Sequence, residues 1–257
     1  MEQKKEKVLG FDVDLITLKD AVMLLSEKIK NKQGVHVVTI NPEIIESAKK
    51  NNALKKIIEQ AQLVVPDGSG IKLALMFKGI RQERIPGIDL AFALLEMAND
   101  LNYSTALIGA KPEVINAAAA SLQSKLKNIN ICYKQDGYFD SEKENIIIND
   151  INNLKPDIVL VALGSPKQEF FIKKCMEKYS NAVYIGVGGT FDVWAGVVGR
   201  APYFFRFIGC EWIYRTYKQP ERLKRIYKTL PLFAVKAIIE AVEFRFLRKG
   251  DNNGKQT

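Results

Sequence analysis

The residues best suited to chemistry in this sequence follow short apolar runs, where a strand would give way to a helix. Asp67 follows Val64-Val65-Pro66 and precedes Gly68-Ser69-Gly70. A carboxylate at such a point can project into a cleft and act as a general base towards a hydroxyl group. Asp is also a favoured helix N-cap, and Ser69 could share that role. The residues alone therefore leave both interpretations of Asp67 open, with capping the more common of the two.

Two further junctions have the same character. Asn41, in Thr39-Ile40-Asn41-Pro42-Glu43, has the same ambiguity between capping and chemistry. The run Gly186-Val187-Gly188-Gly189-Thr190 offers a turn whose backbone N–H groups could cradle a phosphate. It lacks the Gly-Lys-Ser/Thr of a Walker loop, and Phe191 prevents a full GxGxxG match. Alone, this glycine turn is a weak signal for a nucleotide.

The sequence lacks the residues that metal or thiol chemistry would require. His36 is the single histidine, and its apolar surroundings predict a hydrogen-bonded strand histidine. Cys132, Cys175 and Cys210 are far apart without a CxxC pair, which predicts reduced thiols. Asp12-Val13-Asp14 imitates the DxD of metal-dependent sugar transferases but comes too early to follow a nucleotide-binding unit. We predict no metal site and no cofactor, so an enzyme that expels a diphosphate would need cationic side chains.

The positive charge is concentrated near the C terminus. Residues 200–249 contain 12 Lys and Arg against 4 acidic residues, whereas residues 1–199 contain 25 against 24. Aromatic residues are interleaved with these cations, a mixture suited to a phospholipid surface or to bound phosphates. A solvated basic helix pair and a nucleic-acid surface are the alternatives. The helical spacing of the aromatics and the apolar stretch Phe233–Ile239 favour partial burial in lipid over nucleic acid.

The scaffold that positions these junctions is an alternation of short β-branched runs and longer stretches of helical period. Buried strands are predicted at Val35–Ile40, Gln62–Val65, Thr105–Gly109, Ile129–Tyr133, Asp157–Leu163 and Ala182–Val187. Helices are predicted at 18–31, 43–60, 69–78, 88–101, 112–127, 141–153 and 166–179. This pattern predicts an α/β, Rossmann-like, mostly parallel sheet covered by helices on both faces. Because ligands in such sheets bind at the carboxyl ends of strands, the three junctions should share one edge.

We predict three regions in the chain. They are an α/β catalytic core over 1–199, a basic helical appendage over 200–249 and a disordered tail over 250–257. Proline divides the appendage into predicted helices over 204–218, 221–230 and from 231 to about 247. No apolar run approaches the roughly 20 residues of a spanning helix, and the charged start lacks a secretory signal, which predicts a cytoplasmic protein.

Five strings in this chain resemble the motifs of the WecG/TagA/CpsF glycosyltransferases. They are Pro66-Asp67-Gly68-Ser69-Gly70, Arg84-Ile85-Pro86-Gly87-Ile88-Asp89, Gly164-Ser165-Pro166-Lys167-Gln168-Glu169, Gly186-Val187-Gly188-Gly189-Thr190-Phe191-Asp192 and Glu211-Trp212-Ile213-Tyr214-Arg215. The likeness covers nearly the whole chain, in order and with compatible spacing. The chain departs from the family at Phe11-Asp12-Val13-Asp14, which replaces a Val-Pro-Ile-Asp type of sequence and touches no candidate site.

The resemblance implies an activity and an acceptor site. Family members move an N-acetylmannosamine-type sugar from a UDP donor to polyprenyl-diphosphate-linked N-acetylglucosamine, with inversion and without a metal. The products serve wall teichoic acid or related cell-surface polysaccharides. In this chain Asp67 would deprotonate the acceptor hydroxyl, with Thr39 and Asn41 lining the same pocket. Arg84 and Gln168 would contact the sugars or the diphosphate.

The resemblance also implies a donor site and a cellular location. Asp192 and the backbone of Gly188 and Gly189 would hold the uridine, with Tyr138 stacking on it. The arginines that would close over the leaving group are Arg215, Arg222 and Arg225. The expected partners are the UDP-sugar, the lipid-linked acceptor and an anionic membrane surface, with no nucleic acid. The protein would lie on the inner face of the cell membrane as a peripheral protein.

The residues leave some alternatives open. The donor sugar could be the uronic acid form, or another hexose of a capsule or exopolysaccharide pathway. An extra carboxylate on the donor would require another cation, and Arg81, Arg84 and Lys167 are the candidates. An inert nucleotide- or nucleic-acid-binding module is the alternative from another class. A homo-oligomer is compatible with the sequence.

Overall fold

The computed structural model describes residues 4–202, 205, 214 and 230–244. The strands are β1 (Lys5–Val8), β2 (Phe11–Asp14), β3 (Val35–Ile40), β4 (Leu63–Pro66), β5 (Ser104–Gly109), β6 (Asn130–Gln135), β7 (Ile158–Ala162) and β8 (Val183–Gly186). The helices are α1 (Leu18–Lys30), α2 (Pro42–Lys50), α3 (Asn52–Glu59), α4 (Ser69–Phe77), α5 (Gly87–Leu101), α6 (Pro112–Lys125), α7 (Ser141–Leu154), α8 (Lys167–Lys178) and α9 (Thr190–Trp194). Residues 230–244 form a further helix, called here the C-terminal helix.

The main sheet has six parallel strands in the order β4-β3-β8-β7-β5-β6. All residues of β3 and β7 are buried, as expected for strands that helices cover on both faces. The α/β fold with a Rossmann-like parallel sheet is therefore confirmed. Strands β1 and β2 form a separate antiparallel hairpin. We call the end of the sheet at which its strands finish the carboxyl edge, and the end at which they begin the amino edge.

Three details differ from the sequence pattern. The helix predicted over 43–60 is two helices, because the Asn51 side chain accepts hydrogen bonds from the N–H groups of Ala53 and Leu54 and so starts α3. Helix α8 begins at Lys167, with Pro166 as its N-cap rather than its first residue. The short helix α9 was not predicted, since five residues are too few for a helical period to be recognised.

Alternate residues of the strands belong to hydrophobic clusters on opposite faces of the sheet. One face packs against α1, α5, α6 and α9. The other packs against α2, α3 and α4 at one end and against α7 and α8 at the other. The C-terminal helix packs in the same cluster as α2 and α4. Its Phe233, Ala237 and Ala241 are at most 3% exposed. A helix predicted from residue 231 is confirmed as far as 244, whereas most of 204–229 and all of 250–257 lie outside the described residues.

Polar contacts also join the C-terminal helix to the rest of the fold. Lys236 Nζ lies 2.9 and 3.0 Å from the carboxylate oxygens of Glu46 on α2. The Glu240 carboxylate accepts a hydrogen bond from the Leu9 N–H at 2.9 Å and lies 3.4 Å from Lys78 Nζ. Lys78 is 5% exposed, so its ion pair with Glu240 helps to offset the cost of burying the ammonium group. Within the described ranges, no helix is both long enough and apolar enough to cross a bilayer.

Candidate active site

Asn41 and Asp67 lie side by side at the carboxyl edge. Each follows directly after a strand, and β3 and β4 are parallel neighbours in which Ile40 pairs with Pro66. The Asp67 N–H donates to the Ile40 carbonyl oxygen at 2.8 Å, which holds the two loops together. The sheet register therefore brings these two predicted site residues to one place.

The two residues differ in what their side chains do locally. Asn41 Oδ1 accepts a hydrogen bond from the Ile44 N–H at 3.0 Å and is the N-cap of α2. The N-cap of α4 is Gly68, with a φ of 82°, and no side chain caps that helix. The half-buried Asp67 carboxylate instead accepts from the Gly87 N–H at the start of α5, at a distance of 3.5 Å. The capping interpretation thus holds for Asn41 and is wrong for Asp67 and Ser69.

Thr39 and the segment that carries Arg84 complete this side of the site. Thr39 is 7% exposed, and its hydroxyl donates to the Gly186 carbonyl oxygen at 3.3 Å. A Cβ atom on Gly87 would lie 3.2 Å from Thr39 Cγ2, so the start of α5 can approach Thr39 because residue 87 is glycine. The Ile85 N–H donates to the Pro66 carbonyl oxygen at 2.7 Å. This bond holds the half-buried Arg84 next to the end of β4.

Gln168 joins the first turn of α8 to the glycine turn after β8. Its Oε1 accepts a hydrogen bond from the Gly188 N–H at 3.1 Å. Its Nε2 donates to Glu169 Oε1 at 3.0 Å. A Cβ atom on Gly186 would fall 2.4 Å from Gln168 Nε2, so the side chain crosses a position that only glycine leaves open. Gln168 and Gly188, predicted from separate motifs, are therefore in direct contact.

Glu169 is a residue of this site whose role the sequence did not indicate. It is 2% exposed, and its Oε2 has no hydrogen-bond partner in the part of the chain that the structure describes. Burial raises the pKa of Glu169, and hydrogen bonds from Gln168 and Ser165 oppose that rise only in part. A glutamate in the first turn of a helix normally faces water, so only its place in a matched motif could have signalled this burial.

The candidate uridine residues lie further along the same edge. Asp192 is half-buried on α9, and its Oδ2 lies 3.6 Å from where a Cβ atom on Gly189 would stand. Tyr138 is 70% exposed. Its loop folds over the ends of β5 and β7, because the Gly137 N–H donates to the Ala110 carbonyl oxygen at 2.8 Å. Strand β7 thus separates the Tyr138 side of the edge from the Asp192 side.

The three candidate arginines Arg215, Arg222 and Arg225 lie outside the described residues. The described residues on either side of them are at the carboxyl edge. Arg200 forms an ion pair with Asp89 in the first turn of α5. A Cβ atom on Gly199 would lie 3.3 Å from the Tyr214 hydroxyl oxygen, and one on Gly70 would lie 3.4 Å from the Phe233 ring.

The histidine and the described cysteines lie apart from this site. His36 is buried in β3 at the amino edge, and its Nε2 has no hydrogen-bond partner among the described residues, contrary to the prediction. Burial lowers the pKa of His36 to about 4. Burial raises the pKa of the Cys132 and Cys175 thiols. No cluster of three or more His, Cys, Asp or Glu that could hold a metal ion occurs in the described ranges.

Known proteins show the family to which this chain belongs. A family described as "Glycosyl transferase WecG/TagA/CpsF family" matches residues 6–246. The chain is similar to N-acetylglucosaminyldiphosphoundecaprenol N-acetyl-beta-D-mannosaminyltransferases of Staphylococcus aureus, including those of strains MW2, NCTC 8325 / PS 47 and COL. Each is 36% identical over 235 residues, which is 90% of this chain and 91% of the relative. This chain belongs to the WecG/TagA/CpsF family and is a glycosyltransferase.

Proposed function

We propose that this glycosyltransferase moves N-acetylmannosamine from a UDP-linked donor to polyprenyl-diphosphate-linked N-acetylglucosamine. The names of the relatives support this acceptor and this sugar. In the proposed reaction an acceptor hydroxyl oxygen attacks the anomeric carbon while the bond from that carbon to the diphosphate breaks. The hydroxyl proton passes to Asp67, UDP leaves, and a single displacement inverts the anomeric centre. The products would serve wall teichoic acid or a related polysaccharide.

The observation that carries the proposal is the surroundings of Asp67. Its carboxylate does not cap α4, the helix that it directly precedes. It lies instead beside Asn41 and the start of α5, in the corner that Thr39 and Arg84 also border. A half-buried carboxylate in a corner bordered by Asn41, Thr39 and the start of α5 suits a general base that acts on a sugar hydroxyl. Gln168 and the turn at Gly188 lie next to this corner, because Gln168 and Thr39 both contact Gly186.

The leaving diphosphate needs positive charge, and we propose that Arg215, Arg222 and Arg225 supply it. Arg215 follows Tyr214, whose hydroxyl lies close to Gly199. The segment that contains the arginines is held at Arg200 on one side and at Phe233 on the other, and both of these residues contact elements that begin at the carboxyl edge. Both attachments lie at the edge of the sheet that carries Asp67. Guanidinium groups bind phosphate oxygens in pairs, which suits a departing diphosphate.

A lipid-linked acceptor requires the protein to meet a membrane, and we propose that the outer face of the C-terminal helix does so. Five apolar side chains on that face are each about half exposed: Leu232, Val235, Ile238, Ile239 and Val242. On neighbouring α4, Leu73 and Met76 are exposed as well. The excess of cations in residues 200–249 favours an anionic phospholipid surface as the partner. The protein would thus lie on the cytoplasmic face of the cell membrane.

A donor screen tests the reaction. The protein is incubated with a short polyprenyl-diphosphate-linked N-acetylglucosamine and with UDP-N-acetylmannosamine, its uronic acid form or UDP-N-acetylglucosamine. Mass spectrometry then follows UDP and the glycosylated acceptor. We expect both products with UDP-N-acetylmannosamine, and no sugar transfer when the acceptor is omitted. Products from the uronic acid donor alone would move the protein to a different polysaccharide pathway, and no product from any donor would overturn the proposal.

Vesicle flotation tests the membrane surface. Vesicles that contain phosphatidylglycerol should carry the wild-type protein to the top of a density gradient. The double variant L232Q/I239Q should float markedly less, because two apolar side chains are removed from the proposed contact. The control is M23Q, since Met23 is 60% exposed on α1 at the other face of the sheet. Equal flotation of the double variant and the control would exclude this helix as the contact surface.

A further inference from the structure

Gln168 and Glu169 are neighbours in the first turn of α8, and both are buried, at 4% and 2% exposure. The Gln168 carboxamide has two chemically different ends, and each end has its own partner. The oxygen accepts from the Gly188 N–H at 3.1 Å, and the NH₂ group donates to Glu169 Oε1 at 3.0 Å. The orientation of this amide therefore decides whether Gly188 meets an acceptor or a donor.

Glu169 is the residue that selects between the two orientations. An ionised carboxylate can only accept hydrogen bonds, so it attracts the NH₂ end of Gln168 and turns the oxygen towards Gly188. The reverse orientation would set two acceptors against each other at Glu169 and two donors against each other at Gly188. Because both side chains are buried, water cannot easily replace either partner. Only one amide orientation satisfies all of these groups.

We propose that Glu169 is a positioning residue for the donor site. Its carboxylate fixes the Gln168 carboxamide, and Gln168 Oε1 holds the Gly188 N–H, which keeps the Gly188-Gly189 turn in the shape that receives the UDP donor. This inference rests on the proposed function, because that function requires the turn to bind the donor.

The stability cost of Glu169 separates this role from a purely structural one. Its Oε2 is buried without a partner among the described residues, and burial raises the pKa of the group. A carboxyl whose pKa is higher in the folded state than in the unfolded state lowers stability as the pH rises through the interval between the two values. Ionisation of Glu169 is therefore unfavourable for folding. A residue that served only to stabilise α8 would not carry this penalty.

The test compares E169Q with E177Q, which makes the same change at an exposed glutamate of the same helix. Calorimetric titration measures UDP binding, steady-state assays give the donor KM and kcat, and hydrogen exchange reports the Gly188 N–H. In E169Q we expect UDP affinity to fall about fivefold to tenfold, as for one misplaced hydrogen-bonding group. The donor KM should rise more than kcat falls, Gly188 should exchange faster, and the unfolding temperature should be at least that of the wild type. E177Q should match the wild type in UDP affinity and in Gly188 exchange.

Two results would overturn the inference. Wild-type UDP affinity and Gly188 exchange in E169Q would show that Glu169 does not position the amide. A lower unfolding temperature, with donor KM and Gly188 exchange unchanged, would make Glu169 a structural residue of α8. Failure of the proposed function itself is distinguishable from both, because the wild-type protein would then neither bind UDP nor release it from the donor.

Discussion

The two edges of the sheet carry similar polar residues but use them differently. At the amino edge, the Asp157 carboxylate accepts from the Ser104 N–H and hydroxyl at 2.9 Å and pairs with Lys32 at 2.8 Å. There too, Gln62 Oε1 accepts from the His36 N–H at 2.7 Å. These side chains join the beginnings of neighbouring strands. At the carboxyl edge, Gln168 Oε1 accepts instead from the Gly188 N–H in the turn after β8, and the Thr39 hydroxyl donates to the carbonyl oxygen of Gly186 at the end of β8.

Glycines show the same contrast. At the amino edge, a Cβ atom on Gly34 would lie 1.5 Å from the Ser180 carbonyl oxygen, so this glycine lets two backbone segments touch. At the carboxyl edge, the missing Cβ atoms of Gly87 and Gly186 make room for the side chains of Thr39 and Gln168. In this fold, glycines therefore let polar side chains converge at the carboxyl edge, whereas at the amino edge Gly34 lets backbone segments meet.

The largest expected effect distinguishes Asp67 at the carboxyl edge from Asp157 at the amino edge. D67N keeps the shape of the side chain but removes the proposed base, so turnover should fall on the order of a hundredfold or more. D157N should keep turnover and lose about 1–3 kcal/mol of stability, because its hydrogen bonds are structural. Burial raises the pKa of Asp157, but hydrogen bonds from Lys32 and Ser104 outweigh burial and lower it overall, so its charge stabilises the fold at neutral pH.

Turnover with UDP-N-acetylmannosamine and the short lipid-linked acceptor, together with thermal unfolding, measures both variants. Wild-type turnover in D67N would remove the catalytic role from Asp67. A large loss of turnover in stably folded D157N would erase the distinction between the edges.

A smaller effect is expected from the arginines that we assign to the carboxyl edge. R222K and R225K keep the charge but lose the two-point grip on phosphate, so turnover should fall about tenfold. The control is R248K, near the end of the appendage, which should turn over at the wild-type rate. The same assay measures all three variants. Equal rates for R222K, R225K and the control would show that these guanidinium groups do not act on the leaving group.

Tyr138 tests how far the carboxyl-edge site extends along the sheet. Y138A should raise the donor KM about fivefold, as expected when an aromatic ring no longer stacks on a base. Y138F keeps the ring and should behave as the wild type. Because Tyr138 is 70% exposed, both variants should unfold at the wild-type temperature. A donor KM that is unchanged in Y138A would confine the site to the strands on the other side of β7.

The smallest expected effect concerns stability alone, at the amino edge. Burial lowers the pKa of His36 to about 4 in the folded state, below its unfolded value of 6.5. The stability that the neutral imidazole contributes is therefore complete above pH 6.5 and is lost as the pH falls towards 4. We expect the wild type to lose about 1 kcal/mol between pH 7 and pH 5.5 through this group. Denaturant unfolding of H36Q across that interval should show a shallower pH dependence. An identical slope in both proteins would mean that His36 takes up a proton without cost.

The sequence predicted the strand junctions better than the roles of the residues in them. Asn41 and Asp67 both precede a helix and both have side chains that can cap, so local pattern could not separate them. They differ because Gly87, which is distant in sequence, offers its N–H to Asp67. Glu169 escaped prediction for the same kind of reason, because its burial depends on how α8 packs against the sheet.

The sequence by itself determined the parallel sheet, the helices that cover it and the edge at which the motifs gather. These features depend on the periodicity of apolar residues and on the rule that parallel strands finish at the same edge. Only the tertiary structure decided that Asp67 accepts from the start of α5 and does not cap α4, that Glu169 is buried against the Gln168 amide and that Phe233 ties the C-terminal helix to the starts of α2 and α4. Each of these depends on the packing of helices and loops in space, which no local pattern encodes.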